Sequence, residues 1–463
     1  MPKSLTQISW RWLLVGALVA LVAVAVACGD DDDDDGDASP TVAETGAPTD
    51  VVAAPCEDGP GVTGLLDDLK IGVLVPFTGA LATFGPEYEN AARLAAKCIN
   101  DAGGVNGGAV EIVTGDTATA AEQGVSEATR LVDVESVVGI VGAASSAVTL
   151  AVAESVTGPG QVLHISPAST SPALSAAADD DFLFRTPISD AAQGVLLAQL
   201  IADDLGYTSV CAMYVNNAYG QGLLDSFTLA YEDGGGTVTA SVAHDDAQSV
   251  SYAAQLQQCT ADSPEALVAI SYPVGQATVY LREALEGSVI GEFVFVDGTR
   301  DDEMFAELGW ENFDGMQGTA PGALTTDFGD DFDALYEAEF GELYQTPFVR
   351  EAYDATVAIV LAAAAAGTNT DSVAIRDSLR DVANPPGDVY GPGADDVGDA
   401  VVAAAAGTDI DYQGASGSVD FDANGDITFG AIEIWQVDAA NEAIVVIQRF
   451  SVDLTTGEVL ELD

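Results

Sequence analysis

Two clusters of hydroxyl-bearing side chains each follow an apolar segment at the point where that segment ends. Ser146 comes shortly after the apolar residues 137–142, while Ser169 and Thr170 come shortly after the apolar residues 162–165. A helix that begins at such a point has free N–H groups and a dipole that favours an anion, and a nearby hydroxyl adds a donor. A single Ser or Thr here is more often only a helix cap. Two neighbouring clusters, however, predict a site that holds one carboxylate without Lys or Arg.

An acidic residue follows a third apolar segment. Asp297 comes directly after Val294–Val296 and before Gly298. A carboxylate at this point can accept hydrogen bonds from the ammonium group of a ligand, although Asp before Gly is by itself more typical of a turn. Hydrogen-bond donors for a ligand carboxylate and an acceptor for a ligand ammonium together suit a small amino acid.

The sequence contains no catalytic motif. Its two histidines are His164, inside an apolar strand segment where we expect a structural role, and His244, which we expect at an exposed strand end. Without a suitable base we expect no nucleophile–histidine pair, and the chain lacks the CxxC, HExxH, Walker and dinucleotide-binding motifs. We therefore predict a protein that is not an enzyme and that has neither a metal nor a cofactor.

One motif resembles the start of a calcium-binding EF-hand loop. Asp420, Asp422 and Asn424 have the spacing of its first ligands, but Ala431 occupies the position of the bidentate Glu. Because Asn-Gly between strand-like segments is typical of a hairpin, we predict a turn at Asn424–Gly425 and leave calcium binding open.

The pattern of apolar segments predicts the elements that position these residues. Short strands alternate with helices over residues 71–165, and the alternation restarts over residues 191–296. Apolar strands of this kind are typical of parallel sheets covered on both faces, whose carboxyl ends form the ligand-binding edge. We therefore predict two doubly wound, Rossmann-like α/β lobes built from discontinuous segments. A helix-rich region follows over residues 323–383. Three β-like segments end the chain, at Gly417–Phe421, Ile427–Trp435 and Ala443–Phe450.

The composition limits the partners. The chain has 463 residues, with 13 Lys+Arg against 74 Asp+Glu, which gives a formal net charge of −61. Such a surface repels nucleic-acid phosphates and anionic membrane surfaces, so we exclude nucleic acid as a partner. The hydrophobic content of 48% is enough for large cores, and the acidic surface suits high salt, where screening weakens self-repulsion.

Residues 1–27 resemble a signal peptide, with a basic start and an apolar run that is short for a membrane span. The run ends in Ala-Val-Ala before Cys28, which resembles a bacterial lipobox. The resemblance implies cleavage before Cys28, lipidation of that residue, and anchoring to the outer face of the bacterial cell membrane. Ordinary secretory cleavage and an uncleaved anchor are the alternatives. Residues 28–67, which include six consecutive Asp, predict an acidic, disordered linker that its charge keeps extended.

Four further cysteines suggest two disulfides in an oxidising compartment. Cys56 precedes the first strand and Cys98 ends the first helix. Cys211 lies early in a strand, and Cys259 ends the helix before the next strand. Three pairings are possible. Because helix C-termini and strand N-termini lie at the same edge of an α/β sheet, we predict Cys56–Cys98 and Cys211–Cys259.

Seven short motifs carry a family resemblance, and together they are specific although no single one is. They are Lys70–Val73, Pro76–Gly79, Asn100–Gly104, Ser166–Pro172, Phe184–Thr186, Tyr219–Gly222 and Val296–Gly298. On these motifs the chain resembles the substrate-binding lipoproteins of branched-chain amino-acid ABC transporters, the Leu/Ile/Val-binding proteins of the type I periplasmic-binding-protein fold. The resemblance covers most of residues 68–463.

The resemblance implies the contacts of a bound amino acid. The family's carboxylate and amino-group contacts fall on Ser146, Ala168 and Thr170, with Ser169 between the last two. Its ammonium partner falls on Asp297, where the amino-acid binders often have Glu, so the shorter side chain changes the distance to the ammonium. Its pocket aromatics fall on Phe84, Tyr219, Tyr272 and Phe348.

The resemblance also implies two lobes that are joined by three strands and close on the ligand like a hinge. The predicted crossings lie near Arg185–Pro187, Gly318–Gly322 and Tyr412–Ser418. The first lobe then comprises residues 68–187 with 319–414, and the second comprises residues 188–318 with 415–463.

The expected function is that of an extracytoplasmic solute-binding lipoprotein of an ABC importer. We expect a monomer that binds a small neutral amino acid, branched-chain or other, between its lobes and delivers it to the permease subunits. Binding of an amide or another small carboxylate, and ligand sensing by a receptor that does not transport, are the open alternatives. An aromatic acid without an amino group is disfavoured, because Asp297 would repel its carboxylate.

Overall fold

The computed structural model of the protein describes residues 56, 67–324 and 326–462. The predicted signal peptide, the predicted lipidation site Cys28 and most of the predicted linker lie outside the described residues. Within the described part of the chain, no helix is both long enough and apolar enough to cross a membrane.

The first sheet is built by β1 (Leu69–Val75), β2 (Val110–Asp116), β3 (Gly139–Gly142), β4 (Leu163–Ser166) and β5 (Leu183–Arg185). These strands are parallel, in the order β2-β1-β3-β4-β5. Leu69 lies opposite Val110 and Ile71 lies opposite Gly139 in the register. Strands β1, β3 and β4 are almost entirely buried, as expected for a sheet covered on both faces.

Helices connect these strands: α1 (Gly85–Asp101), α2 (Ala121–Asp133), α3 (Ser146–Val152) and α4 (Gly158–Gly160). In α1 the buried residues Ala91, Ala95 and Ile99 recur every four positions, which gives the helix one apolar face for the core. Both sequence-predicted helix starts at the sheet edge are present, at Ser146 and at Pro172, where a short 3-10 helix begins.

The second sheet repeats this plan with β6 (Ser209–Val215), β7 (Thr237–His244), β8 (Ala266–Ile270) and β9 (Phe293–Val294). Its strands are parallel, in the order β7-β6-β8-β9. Strand β9 is short because Phe295 pairs with Gly318, in the segment that follows, rather than with β8. The helices of this region are α5 (Asp190–Gln199), α6 (Ala218–Asp233), α7 (Ala253–Cys259), α8 (Thr278–Gly287) and α9 (Asp302–Leu308).

The chain then returns to the first sheet. The next elements are β10 (Gln317–Gly322), α10 (Asp327–Phe340), α11 (Val349–Ala366), α12 (Ser372–Ala383), β11 (Asp388–Tyr390), α13 (Ala394–Ala405) and β12 (Ile410–Tyr412). Helix α11 is buried along most of its length and packs against α1, β1, β3 and β4, while α12 packs against β4 and α13 against α11. One face of the first sheet is therefore covered by helices from late in the sequence, which fits a lobe built from discontinuous segments.

The C-terminal strands are β13 (Phe429–Asp438), β14 (Ala443–Asp453) and β15 (Glu458–Leu462). They form an antiparallel sheet in the order β10-β13-β14-β15. The predicted strand Gly417–Phe421 is wrong, because within the described chain this segment makes only isolated bridges. The physical reason lies at Phe421, whose amide donates to Asn384 Oδ1 and whose carbonyl accepts from Asn384 Nδ2 instead of from a neighbouring strand.

Two disulfides are present, Cys56–Cys98 and Cys211–Cys259, and they are the pairs that the sequence predicts. The paired residues are 42 and 48 positions apart. Closing loops of this size restricts the unfolded chain and typically stabilises the fold by about 2–4 kcal/mol for each bond.

Candidate functional site

Residues that follow the strands of both parallel sheets line a single narrow cleft, with a cavity volume of about 20 Å³. This volume is far below the about 300–1,000 Å³ that is typical of ligand pockets, so the two sides of the cleft lie close together in this structure. Seven of the nine predicted ligand residues line it: Phe84, Ser146, Ala168, Tyr219, Tyr272, Asp297 and Phe348. Leu81, Tyr88, Ala144 and Gly298 also line it and are not among the predicted residues.

The loop after β4 is held rigidly by buried polar contacts. The Ser166 hydroxyl accepts hydrogen bonds from the amides of Ala168 and Ser169 and donates to the Ala143 carbonyl. Arg185, which is 1% exposed, donates from Nη1 to the carbonyls of Thr170 and Ser171. This network fixes the backbone that carries Ala168 in the cleft wall.

The loop after β4 is also linked to α3. The Ser146 hydroxyl, at the start of α3, accepts a hydrogen bond of 3.3 Å from the Ser171 amide. Ser171 in turn caps the helix that begins at Pro172, because its hydroxyl accepts from the Ala173 amide. The two hydroxyl clusters predicted from the sequence therefore contact each other in the fold.

The side chains of Ser169 and Thr170 do not line the cleft. The Ser169 hydroxyl donates to the carbonyls of Ala143 and Ala144, so it supports the loop from inside. The Thr170 hydroxyl is buried near Asp190 but outside hydrogen-bond geometry, and it has no partner among the described residues.

Asp297 forms the acidic side of the cleft. It follows β9 and begins a 3-10 turn over Asp297–Thr299, and it is 4% exposed. Its Oδ1 accepts hydrogen bonds from the Tyr219 hydroxyl (2.8 Å) and from Gln193 Nε2 (2.9 Å). Burial raises the pKa of Asp297 to about 6, while the hydrogen bonds from Gln193 and Tyr219 oppose that rise.

Asp190 and Gln193, both in α5, are not among the predicted residues. Asp190 is completely buried, and neither of its carboxylate oxygens accepts a hydrogen bond within the described structure. Burial raises the pKa of Asp190 well above its usual value, and the charge of Asp297 raises it further. The only sequence signal for Asp190 is its place after Ser189 at a helix start, which is typical of an ordinary cap.

Aromatic rings form much of the remaining wall. Tyr219 and Tyr272 are stacked with their centroids 5.5 Å apart. The Tyr272 hydroxyl lies 3.0 Å from Ser145 Oγ and accepts from Asn217 Nδ2. Phe348 enters the cleft from the start of α11, where its backbone has the left-handed φ of +71°.

The loop before Phe348 is anchored by Glu87 of α1. The carboxylate of Glu87 accepts hydrogen bonds from the amides of Gln345 and Thr346 and from the Thr346 hydroxyl. A left-handed conformation is costly for a bulky residue and persists only where the surroundings impose it. These contacts supply that constraint, and they hold the Phe348 ring in the wall.

The two sides of the cleft are in contact at its rim. The Thr83 hydroxyl, before α1, donates to Asp301 Oδ2 at the start of α9 over 2.6 Å. The Val274 amide donates to the Ala80 carbonyl, and Ser145 bonds Tyr272 as described above. The cleft is therefore closed by hydrogen bonds between the two parallel-sheet regions.

One of the two histidines has the expected environment and the other does not. His164 is buried and bonds the Gly142 carbonyl and the Thr157 hydroxyl, and burial lowers its pKa to about 4, which fits a structural role. The expectation of an exposed His244 is wrong: it is 2% exposed, because its ring packs between Tyr252 and Tyr280. Its Nε2 lies 2.7 Å from Ser271 Oγ, so a serine–histidine pair does exist, but both residues are buried away from solvent.

The EF-hand-like segment forms a turn. The Gly425 amide donates to the Asp422 carbonyl, and Asp422 Oδ1 accepts from the amides of Asn424 and Asp426. Among the described residues, no group of three or more His, Cys, Asp or Glu side chains is arranged to hold a metal ion.

Comparison with known proteins agrees with this architecture. The family model described as "Periplasmic binding protein" matches residues 68–441. The chain belongs to the periplasmic binding protein family. This is a family of solute-binding proteins rather than of enzymes, and it includes the Leu/Ile/Val-binding proteins that the sequence motifs resemble.

Two curated family members illustrate the range of relatives. An "Amino acid binding protein" of Pseudomonas aeruginosa is 37% identical over 164 residues, which is 35% of this chain and 43% of that protein. The "Chemotactic signal transduction system substrate-binding protein BasB" of Halobacterium salinarum is 28% identical over 372 residues, covering 77% of this chain and 84% of that protein. The matches to the first curated relatives span less than half of their length.

Solved structures of the family share the fold. The leucine-binding protein LivK of Thermotoga maritima has a TM-score of 0.69 and 24% identity, covering 82% of this chain and 98% of that one. A solute-binding protein of an ABC transporter from Rhodopseudomonas palustris, in complex with 3,4-dihydroxybenzoic acid, has a TM-score of 0.65 and 21% identity, covering 83% and 97%. The ligands of these proteins therefore differ within one fold.

Proposed function

We propose that the protein binds a small amino acid as a zwitterion in the cleft between two lobes and delivers it to an ABC permease. The observation that carries this proposal is the buried acid Asp297, which lines the cleft together with Ser146 at the start of α3 and forms no ion pair within the described residues. A buried carboxylate without a cation is costly. A ligand ammonium removes that cost.

The ammonium group would be held at Asp297. Its Oδ1 is already oriented by Tyr219 and Gln193, so the carboxylate is positioned before a ligand arrives. A second buried acid, Asp190, lies outside the cleft lining, and the charge of Asp297 helps to raise its pKa. The lining itself has one acid, Asp297, and no basic residue, which favours a cationic group on the ligand.

The carboxylate group would be held on the other side. Ser146 at the start of α3 and the backbone at Ala168 line the cleft, and the start of α3 supplies unpaired N–H groups and a favourable dipole. Hydrogen bonds of this kind hold an anion without a guanidinium, which suits the absence of Lys and Arg from the cleft-lining set.

The ligand side chain would be apolar and small. The remaining walls are the rings of Phe84, Tyr88, Tyr272 and Phe348 together with Leu81. We infer a neutral amino acid, branched-chain or similar in size, held by closure of residues 68–187 with 319–414 onto residues 188–318 with 415–463.

The same proposal covers location and partners. The apolar residues 13–27 and Cys28 favour an extracytoplasmic lipoprotein that is anchored to the outer face of the bacterial cell membrane. We infer a monomer whose partners are the ligand and the subunits of an ABC permease. The likeness to BasB, a chemotactic binding protein, supports ligand sensing as a second candidate role for the same cleft.

The test is calorimetric titration of the wild-type protein and of Asp297→Asn with leucine, an amide analogue of leucine, and 4-methylpentanoate, which lacks the amino group. We expect the wild type to bind at least one zwitterion and Asp297→Asn to bind it about 100-fold more weakly, since the ammonium loses its charged partner. Asp420→Asn, which lies outside the cleft lining, is the matched control. Equal losses for leucine and 4-methylpentanoate, or no binding of any zwitterion by the wild type, would contradict the proposal.

A further inference from the structure

A second cavity lies next to the cleft and shares Phe348 with it. Its cavity volume is about 160 Å³. Its walls come from distant parts of the chain, namely Arg300 just after the Asp297 turn, the end of β10, the loop before α11, and strands β13 and β14. Apart from Phe348, no predicted ligand residue belongs to it.

Basic residues are concentrated in this cavity. Arg300, Arg350 and Arg449 line it, although the whole chain has only 13 Lys+Arg and a net charge of −61. The acidic residues in the lining are Asp333, Glu351 and Glu433. The cavity lining therefore has as many basic as acidic residues, whereas the whole chain has a large excess of acidic ones.

Glu433 is shared by two of the arginines. Its Oε2 accepts from Arg300 Nη1 (3.0 Å) and its Oε1 accepts from Arg449 Nε (2.9 Å). Arg350, by contrast, bonds Asp333, the Tyr344 hydroxyl and a backbone carbonyl. Arg300 and Arg449 thus share a single acidic partner, Glu433.

Donors of these two guanidiniums remain unused. Arg300 Nε is buried and has no partner within the described structure. Arg449 makes no side-chain hydrogen bond among the described residues other than that to Glu433, and its side chain is 39% exposed. Each guanidinium has five N–H donors in a planar fork that matches carboxylate and phosphate oxygens.

The charge count of the lining favours an anion at neutral pH. Burial raises the pKa of Glu351 to about 8, so this carboxyl is mostly protonated near pH 7. The other charged side chains of the lining are three guanidiniums and the two acids Asp333 and Glu433, so guanidiniums are in excess.

We propose that this cavity binds a small anionic group, a carboxylate or a phosphate, between Arg300 and Arg449 and beside Glu433. The group has one of two sources. It is either a separate small anion or the distal acid of an amino acid whose α-ammonium and α-carboxylate occupy the cleft on the other side of Phe348. The first source is independent of the proposed function. The second rests on the part of it that places the α-ammonium and α-carboxylate in the cleft, and replaces the neutral side chain with an acidic one.

The test compares variants of opposite sign in the full chain. Calorimetry and thermal unfolding are followed at pH 7 with inorganic phosphate, glutarate, L-glutamate or L-leucine, with ionic strength held constant by NaCl. We expect Arg449→Gln to weaken anion binding about tenfold, because it removes charge-assisted donors. We expect Glu433→Gln to strengthen it about tenfold, because both guanidiniums are released from their shared acid. Arg282→Gln and Glu307→Gln, which remove the same charges from an exposed ion pair outside the cavity, should change nothing.

The outcomes separate the two sources. Binding of phosphate or glutarate that is weakened by Arg449→Gln and retained in Asp297→Asn identifies a separate anion, even if no amino acid binds. Tighter binding of glutamate than of leucine, lost in both Arg449→Gln and Asp297→Asn, identifies the distal acid of a cleft ligand.

The anion site is overturned if no anion binds to the wild type or Glu433→Gln, or if Arg449→Gln behaves as Arg282→Gln does. Because Arg449 is partly exposed, this last comparison stands even if Glu433→Gln does not fold.

Discussion

The two cavities on either side of Phe348 contain buried acids in opposite arrangements. Asp297 in the cleft wall and Asp190 outside the lining form no ion pair within the described residues, and burial raises the pKa of both. In the neighbouring cavity, Glu433 is similarly inaccessible but accepts from two arginines. Removing a paired buried acid leaves its partners uncompensated, whereas an unpaired buried acid is costly in its charged form.

The variant Glu433→Gln tests this comparison most strongly, because it removes the carboxylate that two guanidiniums both bond. We expect the free energy of unfolding to fall by about 3–5 kcal/mol, because breaking a buried ion pair leaves charge uncompensated. Urea denaturation at pH 7 without phosphate measures this. The matched control Glu307→Gln breaks an exposed pair and should cost at most about 1 kcal/mol. Similar losses in both variants would mean that the Glu433 pairs behave as surface pairs.

The corresponding change near Asp297, Asp190→Asn, should have the opposite sign. The folded-state pKa of Asp190 is raised, so its contribution to stability is complete at low pH and is lost as the pH rises through that pKa. Replacing the carboxyl with an amide should therefore raise the free energy of unfolding of the ligand-free protein at pH 8 by about 1–3 kcal/mol. The gain should disappear near pH 4. Urea denaturation at both pH values checks this, and a loss of stability at pH 8 would show that Asp190 is a paired structural acid.

Ligand affinity should depend on pH through Asp297. A ligand ammonium binds the ionised carboxylate, and the pKa of Asp297 is raised to about 6 in the ligand-free protein. Between pH 7 and pH 5 the affinity for a neutral amino acid should fall, by about tenfold for each pH unit below 6. Calorimetry across this range measures the dependence. Asp297→Asn should bind weakly with no such slope, and an unchanged slope in that variant would assign the titration to another group.

The smallest effect concerns the rim of the cleft. Thr83→Val removes the hydroxyl that donates to Asp301 on the opposite side. We expect ligand affinity to fall by about 1 kcal/mol, since a single hydrogen bond of the closed form is lost. Thr78→Val is the control, because its hydroxyl bonds Asp116 within the first sheet region. Equal effects of the two variants on ligand affinity would show that the rim contact does not contribute to closure.

Much of the fold could be predicted from the sequence because its signals are local. Strand β6 and helix α7 lie within the alternation predicted over residues 191–296, since an apolar run or an amphipathic period ends where the element ends. The strand ends also place Ser146 and Asp297 correctly at the cleft, because parallel strands bring their carboxyl ends to one edge. Helix α13 and strand β15 have no comparably clear pattern and are not among the predicted elements.

The remaining features depend on contacts between distant segments. Arg300 and Arg449 meet through Glu433 although they are far apart in the sequence, so no local pattern indicates their cavity. Asp190 looks like an ordinary helix-start acid until the fold buries it near Asp297. His244 appears to be solvated because two aspartates follow it, yet aromatic side chains from other segments cover it.

The Cys56–Cys98 disulfide has a mechanical consequence. A pulling force on the chain before Cys56 is transmitted through the sulfur–sulfur bond to the end of α1, a helix whose buried face packs against α11 and the first sheet. The Lys97 ammonium also donates to the Cys56 carbonyl at the same point. Load applied from the N-terminal side therefore enters the region of the first sheet at the end of α1.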